Sequence, residues 1–241
     1  MSTRSLIGIE NENKTVNAVY CHSDGYPSYV GLFLYAFWNS EGQARTITGL
    51  GFLSSIGARV GYTVDFNKYF SDTHYYDRFK YQCIAYCRDR GEKFEVIQVK
   101  SKEELYKASF NAEYIYIFRN GEWWVKSNNT KLRKLANVLA EDKEVLDPNR
   151  QKSFLNSTSL LEDEKQRLFD ALVNLGALRI TKKDTKISQA DFIIEQQFDS
   201  NNFSVRCTAN NRYSCMSRRE IQALKDDGCV VEVKKGVFVK I

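Results

Sequence analysis

The pair Asn120-Gly121 stands between two aromatic runs, Tyr114 to Phe118 and Trp123 to Lys126. A two-residue hairpin turn of type I′ needs positive φ at both central positions, and Asn-Gly adopts that geometry with least strain. The pattern therefore predicts a tight antiparallel hairpin whose alternate side chains enter a core. Its aromatics admit two readings. Tyr114, Tyr116, Phe118, Trp123 and Trp124 pack across strands, or some of them form an exposed platform on which bases stack.

Around this hairpin the chain reads as α+β. Arg4 to Glu10 and Val16 to Cys21 are predicted strands joined by the turn-like Asn11-Glu12-Asn13-Lys14. Ser23-Asp24-Gly25-Tyr26-Pro27 is a loop, and the apolar run after it is read as a buried helix with Ser28 as N-cap. Tyr81 to Tyr86 and Phe94 to Val99 are predicted strands, and Ser101 to Ala108 and Lys131 to Ala140 are predicted helices. The polar stretch containing Asp147-Pro148-Asn149 suggests a linker. The expected organisation is an antiparallel-sheet-rich N-terminal domain over 1–145, a linker at 146–158 and a smaller α+β module over 159–241. In that module Leu160 to Leu175 is an amphipathic helix. A helix at 217–226 followed by a hairpin at 229–241 suggests a winged-helix ending.

Composition bounds the function classes. The 241 residues are 43% hydrophobic, enough for a sizeable core, and carry a net charge of +5 from 35 basic and 30 acidic residues. That bias is far weaker than a dedicated nucleic-acid binder often shows. No run approaches the ~20 apolar residues that a membrane span needs. The opening residues have no basic segment leading into an apolar one, so the six cysteines are expected to be free thiols in a reducing compartment. No Walker A loop, dinucleotide fingerprint, HExxH or GxSxG motif is present, and no cofactor is expected.

Three clusters merit a chemical reading. Cys21-His22-Ser23-Asp24 places thiol, imidazole and carboxylate together, but strand neighbours point to opposite faces, which favours a buried Cys21 and an Asp24-Gly25 turn. Cys83 and Cys87 have C-x₃-C spacing, with Cys21, His22 and His74 as further ligands; a second tight pair is lacking, so no metal site is assigned. Arg88-Asp89-Arg90-Gly91-Glu92 reads as a solvated charged turn, as two arginines clamping a phosphate or carboxylate, or as arginines paired with Asp89, Glu92 or Asp24. Should the two loops meet, His22, Asp24, Tyr26, Arg88 and Arg90 form the best candidate pocket. For the C-terminal module, Arg218, Arg219 and Lys225 on the helix and Lys234 and Lys235 at the hairpin tip are the candidate nucleic-acid contacts.

The opening MSTRSLIGIE, the loop YCHSDGYPSYVG at 20–31 and the run AYCRDRGE at 85–92 together resemble a family of small bacteriophage and prophage proteins. The hairpin EYIYIFRNGEWWV at 113–125 fits the same pattern. The likeness spans about residues 1–125 and transfers no catalytic residues. It implies a viral protein in the cytoplasm of an infected bacterium, and phage accessory proteins of this size often act by binding a host protein. The leading expectation is therefore a non-catalytic modulator of a host macromolecule, most readily a host protein. A nucleic-acid-binding regulator and an enzyme built on the 22–27 and 88–92 loops are the alternatives.

Overall fold

The computed structural model describes residues 2–108, 111–127 and 130–177, together with the backbone of five strands beyond them. The chain divides into two units, 1–178 and 179–241.

The first unit is built on a mixed sheet. Strands β1 (Ser5–Glu10) and β2 (Val16–Cys21) form the expected antiparallel hairpin. On its other side β1 runs parallel to β6 (Tyr114–Arg119), which turns through Asn120 and Gly121 into β7 (Glu122–Ser127). Both turn residues have positive φ, 51° and 81°, as a type I′ hairpin requires. Two short strands, β3 (Leu53–Ser55) and β4 (Ile84–Ala85), extend the sheet beyond β2, and β8 (Arg133–Lys134) extends it beyond β7. β5 (Ile97–Val99) pairs with the first half of β2.

Alternation along the strands gives this sheet two apolar faces. One carries Ile7, Ile9, Val19, Cys21, Tyr116, Phe118 and Val125, packed beneath α1 (Leu32–Phe37), α2 (Glu41–Thr48), α7 (Leu135–Glu141), α8 (Pro148–Leu155) and α9 (Glu162–Asn174). The other carries Leu6, Val16, Ala18, Ile115 and Ile117 under α6 (Lys102–Ala108) through Leu105. A third, smaller cluster of Val64, Tyr69 and Ile84 lies at α3 (Phe66–Ser71), and α4 (Thr73–Phe79) contributes Tyr75 and Phe79 to its margin.

The linker expected at 146–158 is instead α8 and its approach to α9, and both helices belong to the first unit. Phe154, Leu160, Leu168 and Leu172 enter the main core. Arg59 donates to the nearly buried Glu164 carboxylate at 2.6 Å and to the Ser159 carbonyl, while Ser159 donates to the Asp77 carbonyl. Arg167 donates to the Phe37 carbonyl at 2.7 Å, capping the end of α1. The polar composition of 141–159 marks an amphipathic surface, and the boundary falls after residue 178, since α9, expected in the smaller module, packs Leu168 and Leu172 into the core of the first unit.

Local start signals shifted too. Pro27, not Ser28, opens the helical segment, in a widened turn over Pro27–Gly31 that runs into α1. Ser28 is buried and donates to Glu144 at 2.7 Å. The strand expected over 81–86 is two residues long and passes at once into the helical turn α5 (Tyr86–Asp89).

The second unit contains a five-stranded antiparallel sheet: β9 (Phe192–Gln196), β10 (Asn202–Cys207), β11 (Tyr213–Ser217), β12 (Val230–Lys234) and β13 (Val237–Lys240), in the order β11-β10-β9-β13-β12. The C-terminal hairpin expected from sequence is β12–β13, and it joins a larger sheet through β9. The helix expected over 217–226 lies outside the described residues apart from Ser217, which ends β11.

Candidate functional site

The Asp-Gly-Tyr-Pro loop is held from several directions. Asp24 adopts a left-handed backbone, φ 54°. The Gly25 N–H donates to the Thr3 carbonyl, and the buried Tyr116 hydroxyl donates to the Gly25 carbonyl at 2.8 Å. A Cβ at Gly25 would lie 2.8 Å from the Arg4 carbonyl carbon, so only glycine lets the loop lie this close to the start of β1. Tyr26 donates to Asp24 Oδ1 at 3.2 Å, and the Arg150 guanidinium covers its ring. Burial, and after it the Asp24 carboxylate, hold the Tyr26 hydroxyl above its ordinary pKa. His22 turns elsewhere: its backbone bonds Leu53 and Ser2, and its ring meets Tyr20 edge-on.

The charged run at 88–92 is not a solvated turn throughout. Asp89 has no exposed side-chain surface. Its oxygens accept from the backbone N–H groups of Val64 and Ala85 at 3.0 and 2.8 Å. Arg88 closes a bidentate pair on the same carboxylate at 2.9 and 2.8 Å and donates onward to the carbonyls of Val60 and Cys83. Every donor direction of this arginine near the carboxylate is committed, which leaves no fork for an incoming anion. Arg90 is exposed, pairs with Glu92 at 3.0 Å and lies over the rings of Phe66 and Tyr86.

Of the five pocket candidates, then, Asp24 and Tyr26 are in contact, while His22, Arg88 and Arg90 each have other partners. Buried groups stand between the two loops. Tyr69 feels the charges of both Asp24 and Asp89, and burial is the first cause that raises its hydroxyl pKa. The Cys21 and Cys83 thiols are fully buried and pushed up to about 12 by desolvation, the opposite of what a nucleophilic thiol needs. Cys87 donates to the Leu50 carbonyl, and His74 is exposed on α4. Among the described residues no three His, Cys, Asp or Glu side chains converge as metal ligands, and Cys21, Cys83 and Cys87 are free.

The candidate contacts Arg218, Arg219, Lys225 and Lys235 lie outside the described residues, and Lys234 is the last residue of β12.

A different surface gathers charge and aromatics. On the face that carries Leu6, Gly8 and Glu10, the register sets Arg119 beside Glu10, Trp124 opposite Ile117, Lys126 opposite Ile115 and Lys134 opposite Trp124. The Glu10 carboxylate is only 4% exposed and has three cations around it: Lys102 at 3.4 Å, Lys14 at 3.6 Å and Arg119 at 3.9 Å. Trp124 is half-buried, with the Arg119 guanidinium and the Lys134 ammonium each 5.7 Å from its ring. Lys126 stands 5.7 Å from the ring of Tyr106 on α6. Beside Glu10 a shallow cavity of about 370 Å³ opens between the two hairpin turns, lined by Asn11, Lys14, Arg45 and Arg119 among others.

Period-2 alternation predicts that Trp123 and Trp124 point to opposite faces. Which one is core was hidden until the partner strand was known. Trp123 is buried and donates to the Trp38 carbonyl at 2.9 Å, and Tyr116 and Phe118 share its core, so the packing reading holds for them. Trp124 is on the open side.

Comparisons with protein-family models, with curated proteins and with solved structures returned no match to this chain.

Proposed function

We propose that this chain is a phage accessory protein that binds and modulates a macromolecule of a bacterial host, acting by association rather than turnover in the infected cell's cytoplasm. The observation that carries the reading is the internal use of the Arg88–Asp89 pair. The residue types that most resemble reactive chemistry in the sequence hold loops together, and the Cys21 and Cys83 thiols are buried, with desolvation pushing their pKa up. On the β6–β8 side of the sheet a half-buried Trp124 lies among Arg119, Lys126 and Lys134, a mix of ring and charge that suits a macromolecular contact. Affinity capture of the tagged chain from a bacterial lysate, with and without nuclease, tests this. Stoichiometric recovery of one protein, or of nucleic acid lost on nuclease treatment, supports it. Catalytic turnover of a defined substrate by the purified chain overturns it.

A further inference from the structure

We propose that the open side of β6, β7 and β8, centred on Trp124, binds single-stranded nucleic acid, an inference that rests on the binding reading above and names its partner class. Three independent features meet there. The first is charge. Lys14, Lys102, Arg119, Lys126 and Lys134 share this face with three carboxylates, Glu10, Glu103 and Glu122. Five cations against three carboxylates leave these groups with a surplus of two positive charges, since Glu10 offsets one of the three cations around it. The surplus complements a phosphate backbone.

The second is the platform. The Arg119 guanidinium and the Lys134 ammonium each stand over the Trp124 ring at 5.7 Å, and Lys126 stands over the Tyr106 ring, so two rings and three basic groups share one surface. Stacked bases need ring faces and phosphates need cations, and a flat sheet supplies both without reading sequence. The third is unmet hydrogen-bonding capacity. Trp124 Nε1, Arg119 Nε and Tyr106 OH are buried atoms with no partner among the described residues. All three can donate to a phosphate or base oxygen, provided that the side chains covering them shift aside on binding. The α6 helix packs through Leu105 on the neighbouring Leu6, Val16, Ala18 and Ile115.

The test uses the full chain and fluorescein-labelled oligo(dT), oligo(U) and duplex DNA, each about 20 units long, enough for one sheet face. Anisotropy is expected to show binding to the single strands, tighter than to the duplex, that weakens with salt. Trp38 and Trp123 have buried, hydrogen-bonded indoles. Quenching of intrinsic tryptophan fluorescence on titration therefore reports Trp124. Trp124→Ala is expected to lose about tenfold or more in affinity, with Trp124→Phe retaining most of it. Lys126→Glu and Lys134→Glu each lower the salt slope by about 0.7 or more. Lys152→Glu, exposed on α8, is the charge-matched control and leaves affinity nearly unchanged. Circular dichroism confirms that each variant is folded. Relative affinity for oligo(dT) and oligo(U) separates DNA from RNA. Binding to no oligonucleotide at low salt overturns the inference, and so does equal affinity for duplex or binding indifferent to Trp124 and Lys134. Those failures leave the binding reading standing if the lysate yields a nuclease-resistant protein partner, whereas hydrolysis of the oligonucleotide would sink the binding reading itself.

Discussion

Two buried carboxylates, Asp89 and Glu10, each have arginine for company, yet they do opposite work. At Asp89 the carboxylate is complete: two backbone N–H groups and both prongs of Arg88 saturate its oxygens, and two further guanidinium donors reach carbonyls. At Glu10 three cations approach between 3.4 and 3.9 Å, one carboxylate oxygen has no hydrogen bond, and Arg119 Nε is also unmet. The first arrangement is a closed clamp that fixes the 60–64 loop to β4 and α5. The second is an under-filled cluster at the margin of an open face. The difference teaches that residue type does not separate a closed site from an under-filled one here; the state of hydrogen-bond completion does.

The comparison is best broken at the clamp. Asp89→Ala strands Arg88 and two N–H groups in the interior, and urea unfolding is expected to show a loss of about 3–5 kcal/mol. A loss under 1 kcal/mol would mean that the clamp does not hold this end of the sheet. Next comes Glu164→Ala, which frees Arg59 and the Leu161 N–H at α9. Because Arg59 keeps 27% of its side chain in water, about 2 kcal/mol is expected. No change would detach residues 148–177 from the first unit energetically.

The thiols sharpen the contrast between closed and open regions through pH. Cys21 and Cys83 are raised from 9.0 to about 12 in the folded chain, so the folded state holds protons that the unfolded state releases above pH 9. Their stabilising contribution is whole below pH 9 and falls by at most about 1.4 kcal/mol per pH unit per thiol as pH rises toward 12. Replacing both with alanine should flatten that alkaline limb in pH-dependent denaturation, beyond whatever tyrosine titration contributes. An unchanged limb would argue that neither thiol stays protonated in the fold. The smallest effect is expected from Glu10→Gln. Removing one charge from a cluster already rich in cations should cost about 1 kcal/mol or less and tighten oligonucleotide binding, whereas a collapse comparable to Asp89→Ala would erase the distinction between the two sites.

Much of the fold was legible because its signals are local. Asn120-Gly121 specifies its own turn, the 5–10 and 16–21 strands are joined by a short polar turn, and the amphipathic stripe of α9 appears as leucines at helical spacing. What escaped was decided by partners far along the chain. Asp89 looked solvated because Val64, 25 residues away, supplies the N–H that helps bury it. The stripe of α9 announced a buried face but not that α1, some 130 residues earlier, would receive Arg167. The open surface was half visible. Consecutive tryptophans on a strand had to part, but naming Trp124 as the outward one needed the registers of β1 against β6 and of β6 against β7.

The parallel pairing of β1 with β6 carries a consequence for how the chain reaches this shape. The central strand gains one neighbour from the adjacent hairpin but waits for the other across more than a hundred residues. Loop-closure entropy must be met before that pairing returns any stabilisation, a cost that the local hairpins do not carry. On a ribosome, β3 and β5 emerge in time to pair with β2, whereas the other edge of β1 stays unpaired until β6 is clear of the exit tunnel. During that interval the nascent chain is a natural client for a chaperone that shields exposed strands.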